Sequence, residues 1–443
     1  MSMKEQNSIP STRIGRSGKF IGTGIRIGGN YLKHYSRKLV NPGISKDELN
    51  EDNAEDIYNS LSQLKGSALK VAQMLSMDRN LLPKAYTDRF SMAQYNAPPL
   101  SGPLILKTFN KYFGRMPSAI FDEFDLRSSN AASIGQVHRA KLKGKSLAVK
   151  IQYPGVAESI SSDLKMVKPF ALRLMDVSEK DLRIYLREVE EKLLEETDYE
   201  LELERSRYFT GVCTVPGIVF PRYYPELSCK KIITMDWLEG CHLREFLETG
   251  PSQELRDKIG QALWDFYNFQ LHELRSVHAD PHPGNFLVLP GGRLGIIDFG
   301  CIKEIPADFY DPFFSFICPE PLSDRELTIA HFRQMGMILP GDTAGQVEFY
   351  YRHYREMVAL FARPYIERLF DFGEDEYFRQ LYSYGERVAK MKEFKQARGV
   401  KHFIYMNRTL FGLYNILNEL RARVRTDTYP ARAEGRPASV TAL

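Results

Sequence analysis

The sequence predicts an α+β fold in two lobes, a smaller one built on strands and a largely helical one, preceded by a helical extension. Three observations predict it. Strand-like runs concentrate in residues 121–151 and in Val219–Ile233, whereas residues 307–420 read as mostly helical. A strand carries Leu147-Ala148-Val149-Lys150, an apolar run that ends in a lysine. A Pro- and Gly-bearing loop, His278-Ala279-Asp280-Pro281-His282-Pro283-Gly284-Asn285, is followed by Ile296-Ile297-Asp298-Phe299-Gly300. Asp280 and Asn285 are five positions apart, and Asp298 follows Asn285 by thirteen. Three oxygen-bearing side chains on one loop and the next strand suit a hard cation and a triphosphate.

The chain has 443 residues, enough for a sizeable core and two or three structural units. Its net charge of +4 does not make the whole molecule a polyanion binder, and no nucleic-acid partner is expected. The five cysteines (Cys213, Cys229, Cys241, Cys301, Cys318) are scattered without a CxxC pair, which reads as a reducing compartment. No Cys/His cluster has zinc-ligand spacing. There is no run of about 18 apolar residues, so no transmembrane helix is expected. The N-terminus lacks the apolar core of a secretory signal, and its many glycines match an organelle transit peptide poorly.

Residues 1–50 form a basic, Gly-rich segment. From Gln6 to Lys46 there is no acid, against Arg13, Arg16, Lys19, Arg26, Lys33, Arg37, Lys38 and Lys46. Ile21, Ile25, Leu32 and Leu39 make a weak apolar stripe. A segment resting on an anionic membrane surface and a solvated arm both fit. Residues 51–78 predict a helix, because Ile57, Leu61, Leu64, Ala68, Val71 and Leu75 recur at threes and fours. Lys70 and Gln73 are neighbours on its surface. Another helix runs from about Leu104 to Phe113, which completes a helical extension over residues 51–115.

The smaller lobe is expected over residues 116–236. Asn130-Ala131-Ala132-Ser133-Ile134-Gly135-Gln136-Val137 sits where a protein kinase has its Gly-rich loop, with only Gly135 retained. Strands follow at Val137–Leu142 and Leu147–Ile151, joined by a turn at Lys143-Gly144-Lys145. Leu147-Ala148-Val149-Lys150 matches V-A-I-K, so Lys150 is the candidate phosphate lysine. A helical insertion is expected after it. The helical span Asp181–Tyr208 holds Glu195, Glu196, Asp198, Glu200, Glu202 and Glu204, and charge count does not choose the partner of Lys150 among them. Ile232-Ile233-Thr234-Met235 then reads as a strand entering a hinge, where backbone groups could meet adenine.

The helical lobe is expected over residues 237–420. An amphipathic helix spans Ser252 to about Ser276, with Gln270 interrupting its apolar face. The interval from Asp280 to Asn285 is that of a kinase catalytic loop, where an Asp handles the nucleophile and an Asn holds a metal. Asp298-Phe299-Gly300 is the DFG triplet, whose Asp takes Mg²⁺ between phosphates. A solvated turn with a chance DFG would not bring loop, spacing and triplet together. His278 and His282 read as scaffold. The many aromatics of residues 307–420 read as core rather than a lipid or quinone pocket. Residues 421–443, starting at Arg421, Arg423 and Arg425, read as a polar tail.

From about Ser11 to Leu420 the chain resembles the UbiB/ADCK (AarF-type) family of atypical kinases. The resemblance rests on Lys65-Gly66-Ser67-Ala68-Leu69-Lys70-Val71-Ala72-Gln73, like the family's KxGQ helix, and on Asn130-Ala131-Ala132-Ser133, like its Ala-rich loop. Glu196-Thr197-Asp198-Tyr199 is similar to the ExD motif, and the two segments holding Asp280, Asn285 and Asp298 are family signatures. Ala72 departs from the Gly of KxGQ, and Asn130 is a milder departure. The resemblance implies a two-lobed protein-kinase-like fold with a KxGQ-type extension packed over the mouth of the site. It implies that Glu202 partners Lys150, and that Lys70 and Gln73 act as regulatory residues near Glu196 and Asp198. It places Ala131, Ala132, Ser133, Gly135, Val137, Lys150 and Met235 at the nucleotide.

The expected function is therefore an atypical kinase or ATPase that binds ATP (or ADP) with Mg²⁺ at Asn285 and Asp298. Asp280 would orient a water or a hydroxyl, and Lys150 would clamp phosphates. The family resemblance links this activity to membrane-associated isoprenoid-quinone biosynthesis, with quinone precursors or lipids and an anionic membrane surface as partners. A homodimer is left open. The expected location is cytoplasmic, peripheral on an inner membrane. A protein or small-molecule kinase is the first alternative, with Cys318-Pro319-Glu320 a poor substitute for the A-P-E triplet. A non-catalytic nucleotide-gated scaffold is the second.

Overall fold

Lys143 and Gly144 set the first sheet. Both take positive φ (51° and 75°), which a two-residue type I′ hairpin turn needs. Leu142 consequently pairs with Lys145, and the register runs unbroken to Gly135 opposite Gln152. The computed structural model describes residues 47–64, 100–131, 134–175, 179–317, 322–395 and 398–427. Among them, residues up to Glu204 together with Arg222–Trp237 form one unit, and Arg205–Pro221 with the chain from Leu238 form a second. The kinase-like α+β fold expected from the sequence is present: small sheets are combined with a large helical content.

In the first unit the sheet order is β1 (Glu123–Ala131), β2 (Gly135–Leu142), β3 (Lys145–Gln152), β5 (Ile232–Asp236), all antiparallel. Central β3 is buried from Leu147 through Gln152. Helix α1 (Asp47–Leu64) begins earlier than residue 51 and buries Asn53, Ala54, Ile57 and Tyr58 at helical spacing. The predicted residues 65–78, with Lys70, Ala72 and Gln73, lie outside the described residues. Helix α2 (Gly102–Phe113) ends on Gly114, whose φ of 72° closes the last turn. It buries Ile105 and Phe109 against Phe121 and Phe124.

The predicted helical span Asp181–Tyr208 is two helices. After α3 (Val156–Met175), α4 (Glu179–Glu196) stops, and α5 (Tyr199–Val212) restarts. The break has a local cause. The Asp198 carboxylate accepts from the Leu201 backbone N–H at 3.1 Å, as an N-cap does, and N-cap geometry is not helical.

The second unit holds the sheet β4 (Ile218–Val219), β9 (Arg293–Ile296), β8 (Phe286–Leu289), β6 (Cys241–His242), in which β4 runs parallel to β9. After the short helix α6 (Leu243–Glu248), α7 (Gln253–Asn268) is capped by Ser252 and fully buries Ile259, Leu263, Trp264, Phe266 and Tyr267. The predicted helix does not run to Ser276: Phe269–Leu274 is a π turn, and Ser276–His278 is strand β7, paired with β10 (Ile302–Glu304). Helices α8 (Ala307–Phe314), α9 (Arg325–Gln334), α10 (Ala344–Ile366), α11 (Asp375–Ala389) and α12 (Lys401–Leu420) follow, with α12 packed on α7 and α9 on α8 and α10, and their aromatics are mostly core, as expected. Pro364 inside α10 cannot donate to the Leu360 carbonyl, and the Tyr377 hydroxyl does so instead, at 3.1 Å. Among the described residues no helix is long and apolar enough to cross a membrane.

The expected tail does not start at Arg421. Arg423–Arg425 is strand β12, paired with β11 (Leu369–Asp371), and Ala422 and Val424 are fully buried. The arginines are held rather than loose: Asp257 takes both the Arg423 backbone N–H (2.8 Å) and its guanidinium (2.9 Å).

A buried ion pair predicts an acid response in this unit. Arg398 donates to both oxygens of Asp342 at 2.6 and 2.8 Å, and Leu339 N–H adds a bond at 2.7 Å. Arg398 holds the Asp342 carboxyl below its ordinary value, against the opposing effect of burial. A depressed carboxyl stabilises the fold above its unfolded value, about pH 3.9, and the stabilisation is lost as pH falls through the folded value. Asp342→Asn is expected to lower stability by about 2 kcal/mol at neutral pH, with the gap to the wild type narrowing below about pH 4. Urea midpoints across pH test it, and a gap that stays constant down to pH 3 defeats it.

Candidate active site

Strand β3 sits between β2 and β5, and directly opposed residues share a face. Val137 and Ile233 lie opposite Lys150, and Met235 lies opposite Ala148. One face of the sheet therefore presents Val137, Arg139, Ala148, Lys150, Ile233 and Met235, apolar residues around the Lys150 ammonium with the Arg139 guanidinium beside them, 4.8 Å from the Trp237 ring. The Lys150 Nζ is 2.6 Å from Glu202 Oε1, and both side chains are almost fully buried (7% and 4% exposed). The Tyr199 ring lies 5.1 Å from the same Nζ. Of the clustered acids, Glu202 is the one shown paired with Lys150 in an ion pair. Glu202 follows the Asp198 cap by one turn, at the N-terminus of α5, where the helix dipole favours a carboxylate.

Two residues that sequence reasoning missed, Gln152 and Lys231, clamp the break before α5. Gln152 Nε2 donates to the Thr197 carbonyl at 3.0 Å, and Lys231 Nζ donates to Gln152 Oε1 at 2.5 Å and to the same carbonyl at 3.2 Å. Burial lowers the Lys231 ammonium from its ordinary value, and the Glu158 and Asp198 carboxylates oppose the shift. The available signal was Asp198 read as the cap of a new helix. Glu196, at the end of α4, is buried. Ala131 closes β1 opposite Gln136, and Ala132 and Ser133 lie outside the described residues. Gly135 is not needed for positive φ. A Cβ there would meet the Ile151 carbonyl oxygen at 2.5 Å and the Tyr199 hydroxyl at 2.9 Å, so its role is close packing against β3 and Tyr199.

In the second unit a hairpin explains the thirteen-residue interval. Asn285 precedes β8 and Ile297 follows β9, with Phe286 paired to Ile296. The chain runs out, turns at Gly291 and Gly292 (φ 77° and 68°), and returns beside its starting point. Ile297 N–H donates to the Asn285 carbonyl at 3.2 Å, which brings Asp298 alongside Asn285. A second tie joins the two segments: Ala279 N–H donates to the Cys301 carbonyl at 2.8 Å, continuing the pairing of His278 with Ile302. Asp280, Asn285 and Asp298 are thus gathered.

Each is held. Asn285 Nδ2 donates to the Asp280 carbonyl at 2.9 Å, which turns its amide oxygen the other way. Asp298 Oδ1 accepts from Gly300 N–H at 2.9 Å. Phe299 is fully buried and stacks on Phe209 with centroids 5.1 Å apart. His278 is fully buried, and its backbone N–H donates to Gln270 Oε1 at 2.9 Å, which accounts for the polar interruption at Gln270. His282 accepts from Gly284 N–H at 3.0 Å. Pro281 packs on Gly412 of α12, where a Cβ would come within 2.3 Å of its ring. Burial, with the Asp280 carboxylate adding to it, pushes the Tyr267 phenol well above its usual value.

The donor set fits a hard divalent cation. Asp280 and Asp298 are partly buried carboxylates, and the oriented Asn285 amide offers oxygen rather than N–H. Lys70 and Gln73 lie outside the described residues.

The ABC1 atypical kinase-like domain matches residues 92–327. A probable serine/threonine-protein kinase, abkA of Dictyostelium discoideum, is 28% identical over 68% of this chain and 58% of its own length. The mitochondrial atypical kinase COQ8B of Danio rerio is 26% identical over 95% of this chain and 68% of its own. The chain thus spans less than two thirds of the first relative. The solved structure of an Rv3197–erythromycin complex from Mycobacterium tuberculosis matches with a TM-score of 0.60 at 27% identity, covering 88% of this chain and 100% of that one.

Proposed function

The chain belongs to the ABC1 atypical kinase-like family, the UbiB/AarF/COQ8 group, and from that premise we propose that it binds ATP with Mg²⁺ and catalyses phosphoryl transfer or ATP hydrolysis. The observation that carries this reading is the gathering of Asp280, Asn285 and Asp298 by one hairpin. Asn285 and Asp298 would hold the Mg²⁺, which supplies charge neutralisation between phosphates. Asp280 accepts a proton from, and orients, the attacking hydroxyl or water. Lys150, set by Glu202, takes phosphate oxygens. The face bearing Val137, Ala148 and Met235 takes the base, and the loop from Ala131 through Ser133 to Gly135 covers the phosphates. Lys70 and Gln73, with Glu196 and Asp198, are proposed as the regulatory set.

Water or a small hydroxyl is favoured over a peptide as acceptor. Two residues after Gly300 the chain enters β10, and by Ala307 it enters α8, whose Phe309, Tyr310 and Phe314 are buried. By resemblance, the activity serves isoprenoid-quinone biosynthesis at a membrane, with the basic N-terminal segment on anionic lipid. ATP turnover of the full chain, with and without Mg²⁺ and with and without anionic liposomes, tests this. No Mg²⁺-dependent turnover under either condition, with ATP still bound, would replace it by a nucleotide-gated scaffold. Transfer of labelled γ-phosphate to a defined protein would favour a protein kinase.

A further inference from the structure

Lys150 and Gln152 are alternate residues of β3, so their side chains leave the same face of the strand. One meets α5, and the other meets the link that precedes it. Lys150 pairs with Glu202 at 2.6 Å, and Gln152 donates to the Thr197 carbonyl at 3.0 Å. Thr197 stands before α5 begins, and Glu202 lies in its first turn. Two separated contacts fix a helix in rotation as well as in place, where one contact leaves it free to pivot. Rotation matters here. Tyr199 and Glu202 share one side of α5, the ring 5.1 Å from the Lys150 Nζ and the carboxylate 2.6 Å from it. A turn of α5 by one residue, about 100°, would carry that side off the lysine.

Lys231 closes the clamp from β5. Its backbone carbonyl accepts from Gln152 N–H at 3.0 Å, and its Nζ donates to Gln152 Oε1 at 2.5 Å. The Gln152 amide is thereby oriented, with its oxygen taken by Lys231 and its NH₂ left for Thr197. The same Nζ reaches the Thr197 carbonyl at 3.2 Å. That carbonyl lies just past Glu196, the end of α4, where helix carbonyls lack intrahelical partners and a cation is favoured. The Asp198 carboxylate, which caps α5, and the Glu158 carboxylate on α3 also act on this ammonium. One charge therefore serves the end of α4, the cap of α5 and the amide between them. Gln152 and Thr197 are buried, so water does not compete for these bonds.

We infer that Gln152 and Lys231 are positioning residues of the proposed nucleotide site: they set where α5 starts and which side it turns to β3, and so bring Glu202 to the phosphate lysine. The consequence for ATP rests on the nucleotide reading of Lys150, and the geometry of the clamp does not.

Lys231→Met and Gln152→Met open the clamp and leave Lys150, Glu202, Asn285 and Asp298 in place. Each is expected to raise the ATP dissociation constant about 2- to 10-fold, the worth of one hydrogen bond, with the Mg²⁺ requirement unchanged. Lys231→Arg, which keeps the charge, should bind ATP more tightly than Lys231→Met. Lys230→Met, at the exposed neighbour, should bind it like the wild type. A second readout needs no nucleotide. A lysine is acylated as the free amine, and a carboxylate beside it favours the ammonium. Acylation of the full chain with sulfosuccinimidyl acetate, resolved by site with mass spectrometry, is expected to modify Lys150 several-fold faster in both Met variants. Thermal unfolding verifies that each variant folds, and the part-exposed Lys231 keeps the test open if the buried Gln152 does not tolerate the change. Two results overturn the inference: Lys150 acylated at the wild-type rate in a folded Lys231→Met, or ATP bound by that variant as tightly as by the wild type. A wild type that binds no ATP would defeat the proposed function instead, and the acylation rates then decide this inference alone.

Discussion

Asp298→Asn is expected to lower Mg²⁺-dependent ATP turnover by about 10²-fold or more, the scale of losing a principal electrostatic group in a site. The substitution isolates charge. Asparagine keeps an oxygen for the Gly300 N–H, which now bonds Asp298 Oδ1 at 2.9 Å, and it keeps the side chain's volume. Phe299 stays fully buried against Phe209, so the triplet's anchor is untouched. The change is thus a loss of one negative charge from the set formed with Asp280 and Asn285. Steady-state turnover over a Mg²⁺ titration, beside a urea unfolding curve, checks it. The unfolding midpoint should hardly move while the Mg²⁺ requirement rises steeply. Turnover within a few-fold of wild type would remove Asp298 from the proposed metal site.

Glu202→Ala is expected to destabilise the fold by about 3–5 kcal/mol, the usual cost of deleting one member of a buried ion pair. Lys150 is 7% exposed and lies 2.6 Å from Glu202 Oε1. The ammonium would keep its desolvation cost without that carboxylate, and the Tyr199 ring 5.1 Å away offsets only part of it. Glu202→Gln, which keeps a hydrogen-bond acceptor, should lose less. A double replacement, Lys150→Met with Glu202→Leu, separates structure from chemistry. Apolar groups of similar volume often restore the stability of a buried pair, so the double variant should recover folding without recovering ATP turnover. Chemical denaturation and turnover measured on the three variants decide the matter. If the double variant turns over ATP like the wild type, the pair is only a structural element.

Much of this was legible from local pattern. The Lys143-Gly144 turn announced a hairpin, and that hairpin put Lys150 on the central strand. The helix at Gly102–Phe113 and the helical second unit followed from periodicity. Other features were hidden for definite reasons. A polar cap inside a charged run, Asp198, broke one predicted helix into two, because capping geometry outweighs helical composition. The helix through Gln270 passes into a π turn, and the Gln270 side chain accepts from the backbone N–H of His278, a partner that periodicity does not show. Arg421–Arg425 looked like a solvated tail, because its partners, Asp257 and strand β11, are distant in sequence. The aromatics of the second unit are mainly core.

By itself the sequence determined which chemical groups are present and which of them travel together. Asp280 and Asn285 share one loop, and Asp298 is reached through a single hairpin, so short-range spacing sufficed. Charge and periodicity left open which acid faces Lys150, the resemblance alone pointed to Glu202, and the tertiary structure shows that pair formed. Several carboxylates share that stretch with equal claims of charge and propensity, and selection falls to the one that α5 carries to within 2.6 Å of a strand 52 residues earlier. Local energies are read by neighbours in the chain, whereas that choice is made by packing between elements, which only the folded chain brings together.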